Sequence, residues 1–142
     1  MPTFEDAIIL AARAYRGKVD KEGQPKIFHV LRVILRFNNA DERIVAVLHD
    51  LIKDNGFMLE HLRTAGYSEE ILQALDCLTR RGNESYEQFI ERIKENPIAR
   101  EVRIADLEDN VDLKRHLRHS VFTEENLKLV RKCQSVLLQF RI

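Results

Sequence analysis

Ile44-Val45-Ala46-Val47-Leu48-His49-Asp50-Leu51-Ile52-Lys53-Asp54 sets an imidazole and a carboxylate side by side at the end of an apolar run. On a helix His49 and Asp50 stand about 100° apart around the axis. Asp50, Lys53 and Asp54 follow the i, i+3, i+4 pattern and share a face, and Lys53 is also i+4 from His49. The opposite side offers Ile44, Val47, Leu48 and Leu51 to a core. Taken alone, such a run is also what a capped, solvated helix end with an Asp50–Lys53 ion pair looks like.

Two further polar residues lie in matching apolar settings, His29 in Ile27-Phe28-His29-Val30 and Asp106 in Arg103-Ile104-Ala105-Asp106-Leu107. Burying an imidazole or a carboxylate costs several kcal/mol unless it meets a partner or a metal. His29 is open to reading as a satisfied core histidine, and Asp106 as the partner of Arg103 or Lys114. The four together, two imidazoles and two carboxylates, make a donor set suited to a divalent first-row metal. Such an ion polarises a phosphoryl oxygen and activates water near neutral pH. A metal-dependent hydrolase is the expectation.

Outward from this run the periodicity is helical nearly everywhere. Thr3 with Asp6 forms an N-terminal capping pattern ahead of Ala7, Ile8, Leu10, Ala11 and Ala14. Gly17–Pro25 is a polar loop, and a second helix is expected from there to about Phe37. Asn38-Asn39-Ala40-Asp41 is turn chemistry, with Asp41 expected to cap the helix carrying His49 and Asp50. Asn55-Gly56 ends it, residues 58–65 make a short helix stopped by Gly66, and Ser68 caps another to about Leu78. Ser85 with Gln88 starts the next after the Arg80–Asn83 loop, and Asn96-Pro97 supplies a cap and an N1 proline for the helix of Asp106. Thr123 opens a final amphipathic helix with Leu127, Val130, Cys133, Val136 and Leu137 on its apolar face. No alternation persists as a strand would need. The expected fold is all-α, one domain over residues 1–142, with seven or eight helices.

Composition narrows the class. With 142 residues the chain can bury a core without disulfides. Its 23 basic and 23 acidic residues cancel, so nothing marks it as a nucleic-acid binder, and Arg80-Arg81 is too short a basic patch to change that. Cys77 and Cys133 are far apart and read as reduced thiols. The amino-terminal residues lack a signal-peptide pattern, and no apolar stretch approaches the ~18 residues of a membrane span. A cytoplasmic protein is expected, with neither membrane nor nucleic acid as partner and with homo-oligomerisation left open.

The order His, His-Asp, distant Asp resembles the HD-domain metal-dependent phosphohydrolases, and the flanking residues resemble their RelA/SpoT-type (p)ppGpp hydrolase branch with its small stand-alone members. The matching text is Ala11-Ala12-Arg13-Ala14-Tyr15-Arg16-Gly17-Lys18, Lys21-Glu22-Gly23-Gln24-Pro25-Lys26-Ile27-Phe28-His29-Val30, Leu48-His49-Asp50-Leu51-Ile52-Lys53-Asp54 and Ile104-Ala105-Asp106-Leu107-Glu108-Asp109-Asn110. It extends over most of residues 4–115. The resemblance implies an HD-type helical domain with His29, His49, Asp50 and Asp106 as ligands of one divalent ion, manganese by analogy. It implies Asp54 as the group that positions or activates water, Lys21 and Asn110 on the nucleotide side, and a nucleotide phosphate ester or anhydride such as the (p)ppGpp 3′-pyrophosphate as substrate. The chain departs from the pattern at Lys53, where those hydrolases carry a catalytic Glu, at Asp20, where an Arg is common, and at Val30, in place of a Pro.

Lys53 divides the functional expectations. As a clamp on a phosphate it belongs to the catalytic set with Asp54; as a surface replacement of the Glu it points to a catalytically silent nucleotide- or metal-binding module. Lys18, Lys21 and Lys26 form a basic cluster, either a solvated loop or an anion attractor at the mouth of the site. Glu108, Asp109 and Asp112 read mostly as a solvated face, but Asp109, three residues past Asp106, is placed to support a ligand from behind. His61, His116 and His119 read as surface residues.

Overall fold

The computed structural model describes residues 1–56, 58–112 and 124–140, the side chains at 54, 55, 125 and 126 excepted. Thr123, Lys114, His116 and His119 fall outside that range, as does the side chain of Asp54.

The helices begin where a side chain can take up backbone N–H groups left without partners in a first turn. Thr3 Oγ1 accepts from Asp6 N while Asp6 accepts from Thr3 N, opening α1 (Phe4–Tyr15). Ser68 caps α5 (Glu69–Cys77), and Ser85 with Gln88 forms the same reciprocal box before α6 (Tyr86–Glu95). Asn96 Oδ1 accepts from Ala99 N, with Pro97 as the first residue of α7 (Pro97–Asn110). The capping of α3 (Ala40–Asn55) corrects the expectation from sequence. Asn39, not Asp41, accepts from Asp41 N at 2.8 Å and Glu42 N at 3.2 Å. Asp41 sits one step inside, where its charge still meets the positive helix end.

α2 (Ile27–Ile34) ends earlier than the expected Phe37. The chain keeps winding through tighter i→i−3 bonds, Arg36 N to Val33 O and Phe37 N to Ile34 O, so the regular α-helix gives way to 3₁₀-like turns. α3 and α4 (Leu59–Ala65) stop at Gly56 (φ 69°) and Gly66 (φ 100°), left-handed positions that glycine adopts without strain. α8 (Glu124–Phe140) completes eight helices among the described residues. The described residues contain no strand; extended backbone pairs only where Val19 meets Pro25. The all-α expectation holds.

α3 and α7 are the central pair. α3 packs against α1, α2, α5 and α7, while α7 also meets α6 and α8. Every residue from Ile44 to Leu51 is buried, so α3 is enclosed all round rather than on one stripe, as befits a helix through the middle of a core. On α8, Val130, Cys133, Val136, Leu137 and Phe140 are buried, whereas Leu127 lies at the margin, 37% exposed. Arg100 on α7 ties the far end of α8 by donating to the Phe140 carbonyl at 2.5 Å. No helix among the described residues is long and apolar enough to cross a membrane.

The connection from α5 to α6 is held by one arginine. Arg92 donates to the carbonyls of Asp76 (2.8 Å) and Thr79 (2.9 Å) and to both carboxylate oxygens of Glu84 (2.6 and 2.8 Å). Those bonds hold the Glu84 carboxyl down at about 2.

Replacing a fully enclosed side chain should cost far more than replacing an exposed one. Leu75→Ala, at 0% exposure, is expected to lower unfolding free energy by roughly 2–5 kcal/mol. Leu35→Ala, at 80% exposure, is expected to change it by less than about 0.5 kcal/mol. Urea unfolding followed by circular dichroism measures both, and equal losses would contradict the packing described.

Candidate functional site

Two residues one helical turn apart on α2 meet two residues one turn apart on α7. His29 and Arg32 share a face of α2 by their i, i+3 spacing, and Asp106 and Asp109 do the same on α7. His29 Nε2 lies 2.7 Å from Asp106 Oδ1, and His29 Nδ1 lies 2.5 Å from Asp109 Oδ2. Arg32 grips Asp109 with Nε on Oδ1 at 2.7 Å and Nη2 on Oδ2 at 3.1 Å. Arg103 donates from Nη1 to the other oxygen of Asp106, Oδ2, at 3.0 Å.

α3 brings the third side. Asp50 Oδ2 is 3.9 Å from His29 Nε2, and His49 Nδ1 is 3.7 Å from Asp50 Oδ1. One ligand atom each from His29, Asp50 and Asp106 lie within 4.8 Å of one another, which is the reach of a single cation. His49 is 5% exposed and stands beside this group. His29, Asp50 and Asp106 are therefore brought together from three helices, with His49 alongside. An imidazole facing two carboxylates is a donor set that a divalent first-row ion accepts. The residues fit such an ion, while the set leaves its identity open.

The charges are strongly coupled. Burial alone pushes the His29 imidazolium down, but hydrogen bonds to Asp106 and Asp109 and the charge of Asp50 outweigh it and raise its pKa to about 10. Burial pushes the Asp106 carboxyl up, yet the His29 hydrogen bond and the nearby His49 and Arg103 leave it well below the usual carboxylate range. Asp109 follows the same balance, its burial outweighed by His29 and Arg32, and settles at about 2. A positive charge at the His29 Nε2 position thus holds the cluster together, whether a proton or a cation supplies it.

Asp109 departs from the solvated face it belongs to by spacing. It is 1% exposed and fixes His29 from behind through Nδ1, so that Nε2 is turned toward Asp50 and Asp106. A partner of this kind sets the tautomer and aim of a ligating imidazole. Arg32, the residue that anchors Asp109, escaped the sequence reading; its i+3 spacing from His29 places it on the same face but does not record what it meets across the fold. The Asp106–Arg103 ion pair expected as an alternative to a ligand role is present, and it uses Oδ2, leaving Oδ1 to face His29. Glu108 does face outward, pairing with Arg36 Nη1 at 3.3 Å.

The remaining expected residues lie farther out. Lys53 is exposed in the last turn of α3, and Asn110 is the half-buried last residue of α7. Lys21 is exposed on the loop between α1 and α2, while Lys18 and Lys26 hold their ammonium groups about 6 Å from the centre of the Tyr15 ring. Asp20, which stands where the resemblance leads one to expect Arg, has a local task. Its Oδ1 accepts from Glu22 N (2.8 Å) and Gln24 N (3.0 Å), closing the loop that leads into α2.

No family model matches the chain. Its fold is similar to that of a solved protein described as a metazoan ortholog of SpoT that hydrolyzes ppGpp and plays a role in starvation responses, with a TM-score of 0.73 over 99% of this chain and 86% of that one. The two are 18% identical, and what they share is the fold.

If Asp109 aims His29, removing its charge while keeping its shape should weaken metal binding without unfolding the protein. Asp109→Asn is expected to lower Mn²⁺ affinity by about 10–100-fold. Arg36→Ala, on the neighbouring solvent-facing ion pair, is expected to leave it unchanged. Calorimetric titration with Mn²⁺ reads both, and unaltered binding in Asp109→Asn would remove Asp109 from the site.

Proposed function

We propose that the protein is a metal-dependent phosphohydrolase acting on a nucleotide phosphate ester or anhydride. The observation that carries this reading is the convergence of His29, Asp50 and Asp106 from α2, α3 and α7 within 4.8 Å. The likeness to the fold of a ppGpp hydrolase supports it. His29, Asp50 and Asp106, with His49 alongside, hold one divalent ion, Mn²⁺ by analogy. A bound ion would polarise the scissile phosphoryl group and lower the pKa of water.

The chain's own groups do the rest in this reading. Asp109 and Arg32 keep His29 aimed, and Arg103 keeps Asp106 from turning away. Asp54, one turn beyond Asp50 in sequence, orients the attacking water and takes its proton. Lys21 and Asn110 belong to the nucleotide side. Lys53, by its charge, neutralises negative charge that develops on the transferred or leaving group. The proposed substrate is (p)ppGpp, cleaved at its 3′-pyrophosphate.

Lys53 also favours a second reading. An ammonium where the resembling hydrolases carry a carboxylate removes one group that could accept a proton from water. A domain that binds nucleotide or metal without cutting is the alternative.

Pyrophosphate release from ppGpp by purified protein with Mn²⁺ separates the two. Release by the wild type and its fall to background in Asp106→Ala is the expected result. Binding of ppGpp without release, with activity appearing in Lys53→Glu, would establish the silent module. Release that survives Asp106→Ala would overturn the assigned site.

A further inference from the structure

A cavity of about 350 Å³ opens beside the cluster of His29, Asp50 and Asp106. This is toward the small end of the range for small-molecule sites, roughly 300–1,000 Å³. Its walls are His49, Ile52 and Lys53 from α3, Leu78, Thr79 and Arg80 from the connection after α5, Phe89 from α6 and Arg103 from α7. Three of these eight residues are cationic and none is a carboxylate. His49 and Arg103 are shared with the cluster, His49 as the neighbour of Asp50 and Arg103 through its bond to Asp106 Oδ2. The cavity therefore begins where the candidate metal site ends.

The geometry points to an anion subsite that receives a phosphate or diphosphate group, gripped by Lys53, Arg80 and Arg103. Each cation comes from a different part of the fold, so their convergence is a property of the tertiary structure rather than of a basic stretch. Arg103 spends one nitrogen on Asp106 and keeps further N–H donors, since a guanidinium offers five. Arg80 has its guanidinium 5.4 Å from the centre of the Tyr86 ring and donates from Nη2 to the Glu84 carbonyl at 3.4 Å, which leaves it further N–H donors for an oxyanion. Lys53 is exposed and supplies a mobile point charge at the rim.

The wall that carries Arg80 is set in place before any ligand arrives. Arg92 donates to the carbonyls of Asp76 and Thr79 and pairs with Glu84, and the Thr79 hydroxyl donates to the Leu75 carbonyl at 2.8 Å. Of the nearby carboxylates, Glu84 is paired with Arg92, outside the three cations, while Asp106 is shared between His29 and one nitrogen of Arg103. Ile52, Leu78 and Phe89 form an apolar floor that excludes water from one side of the anion and strengthens its attraction to the cations. Lys53, which removes a carboxylate from the hydrolytic side, adds the third cation here. The identity of the anion as the diphosphate of a nucleotide rests on the phosphohydrolase reading; the existence of the anion subsite does not.

Calorimetric titration of the full chain with inorganic pyrophosphate, in the presence of a chelator, isolates this subsite from any metal. Wild type is expected to bind, and Lys53→Glu and Arg80→Glu each to weaken binding by about tenfold or more, the scale of one charge-assisted contact. Arg13→Glu, the same charge change on the exposed end of α1, is expected to bind as wild type does. Asp106→Ala is expected to retain or tighten binding, because it frees Arg103. Thermal unfolding verifies that each variant is folded. Absence of pyrophosphate binding in the wild type, or equal weakening by Lys53→Glu, Arg80→Glu and Arg13→Glu, would overturn the subsite. Failure of the metal reading shows separately, as absence of Mn²⁺ binding to the wild type with pyrophosphate left out.

Discussion

Everything near the site depends on one buried electrostatic arrangement, an imidazole held between two carboxylates of another helix. His29 reaches Asp106 and Asp109 across 77 and 80 residues of chain, and both carboxylates are almost fully enclosed. Enclosing them costs several kcal/mol apiece unless positive charge is close by. Arg32 supplies part of that charge to Asp109 and Arg103 to Asp106, and His29 supplies the rest to both. The relative position of α2 and α7 is thereby fixed by chemistry rather than by apolar packing alone. α3, enclosed all round, then carries His49 and Asp50 to the same spot.

The same arrangement suits the proposed metal site. A cation placed among His29, Asp50 and Asp106 takes over the charge balance that the His29 proton otherwise provides. Asp109 keeps the imidazole pointing the right way in either state. The adjoining cavity inverts this logic: its walls are cationic and its natural complement is an anion.

Much of the fold was legible because its signals are local. Thr3 with Asp6, Ser85 with Gln88 and Asn96 with Pro97 mark helix starts through contacts spanning three residues. His29, His49, Asp50 and Asp106 stood out because polar groups in apolar runs demand an explanation. Reading failed where two local solutions compete, as at Asn39 and Asp41, both able to cap α3. It failed also at the end of α2, where the apolar pattern continues but the hydrogen bonding tightens. Arg32 and the Lys53–Arg80–Arg103 cavity were invisible for a different reason. Their meaning lies in who faces them across the fold, and no spacing along the chain records that.

The place of Lys53 in the last turn of α3 has a consequence for the helix itself. The final carbonyls of a helix carry partial negative charge, and a cation beside them is worth about 0.3–1 kcal/mol, whereas an anion there is penalised. A glutamate at this position would sit against the electrostatic gradient of the helix. The lysine runs with the gradient. The last turn of α3 in this chain therefore carries a side chain whose charge suits the helix end it occupies.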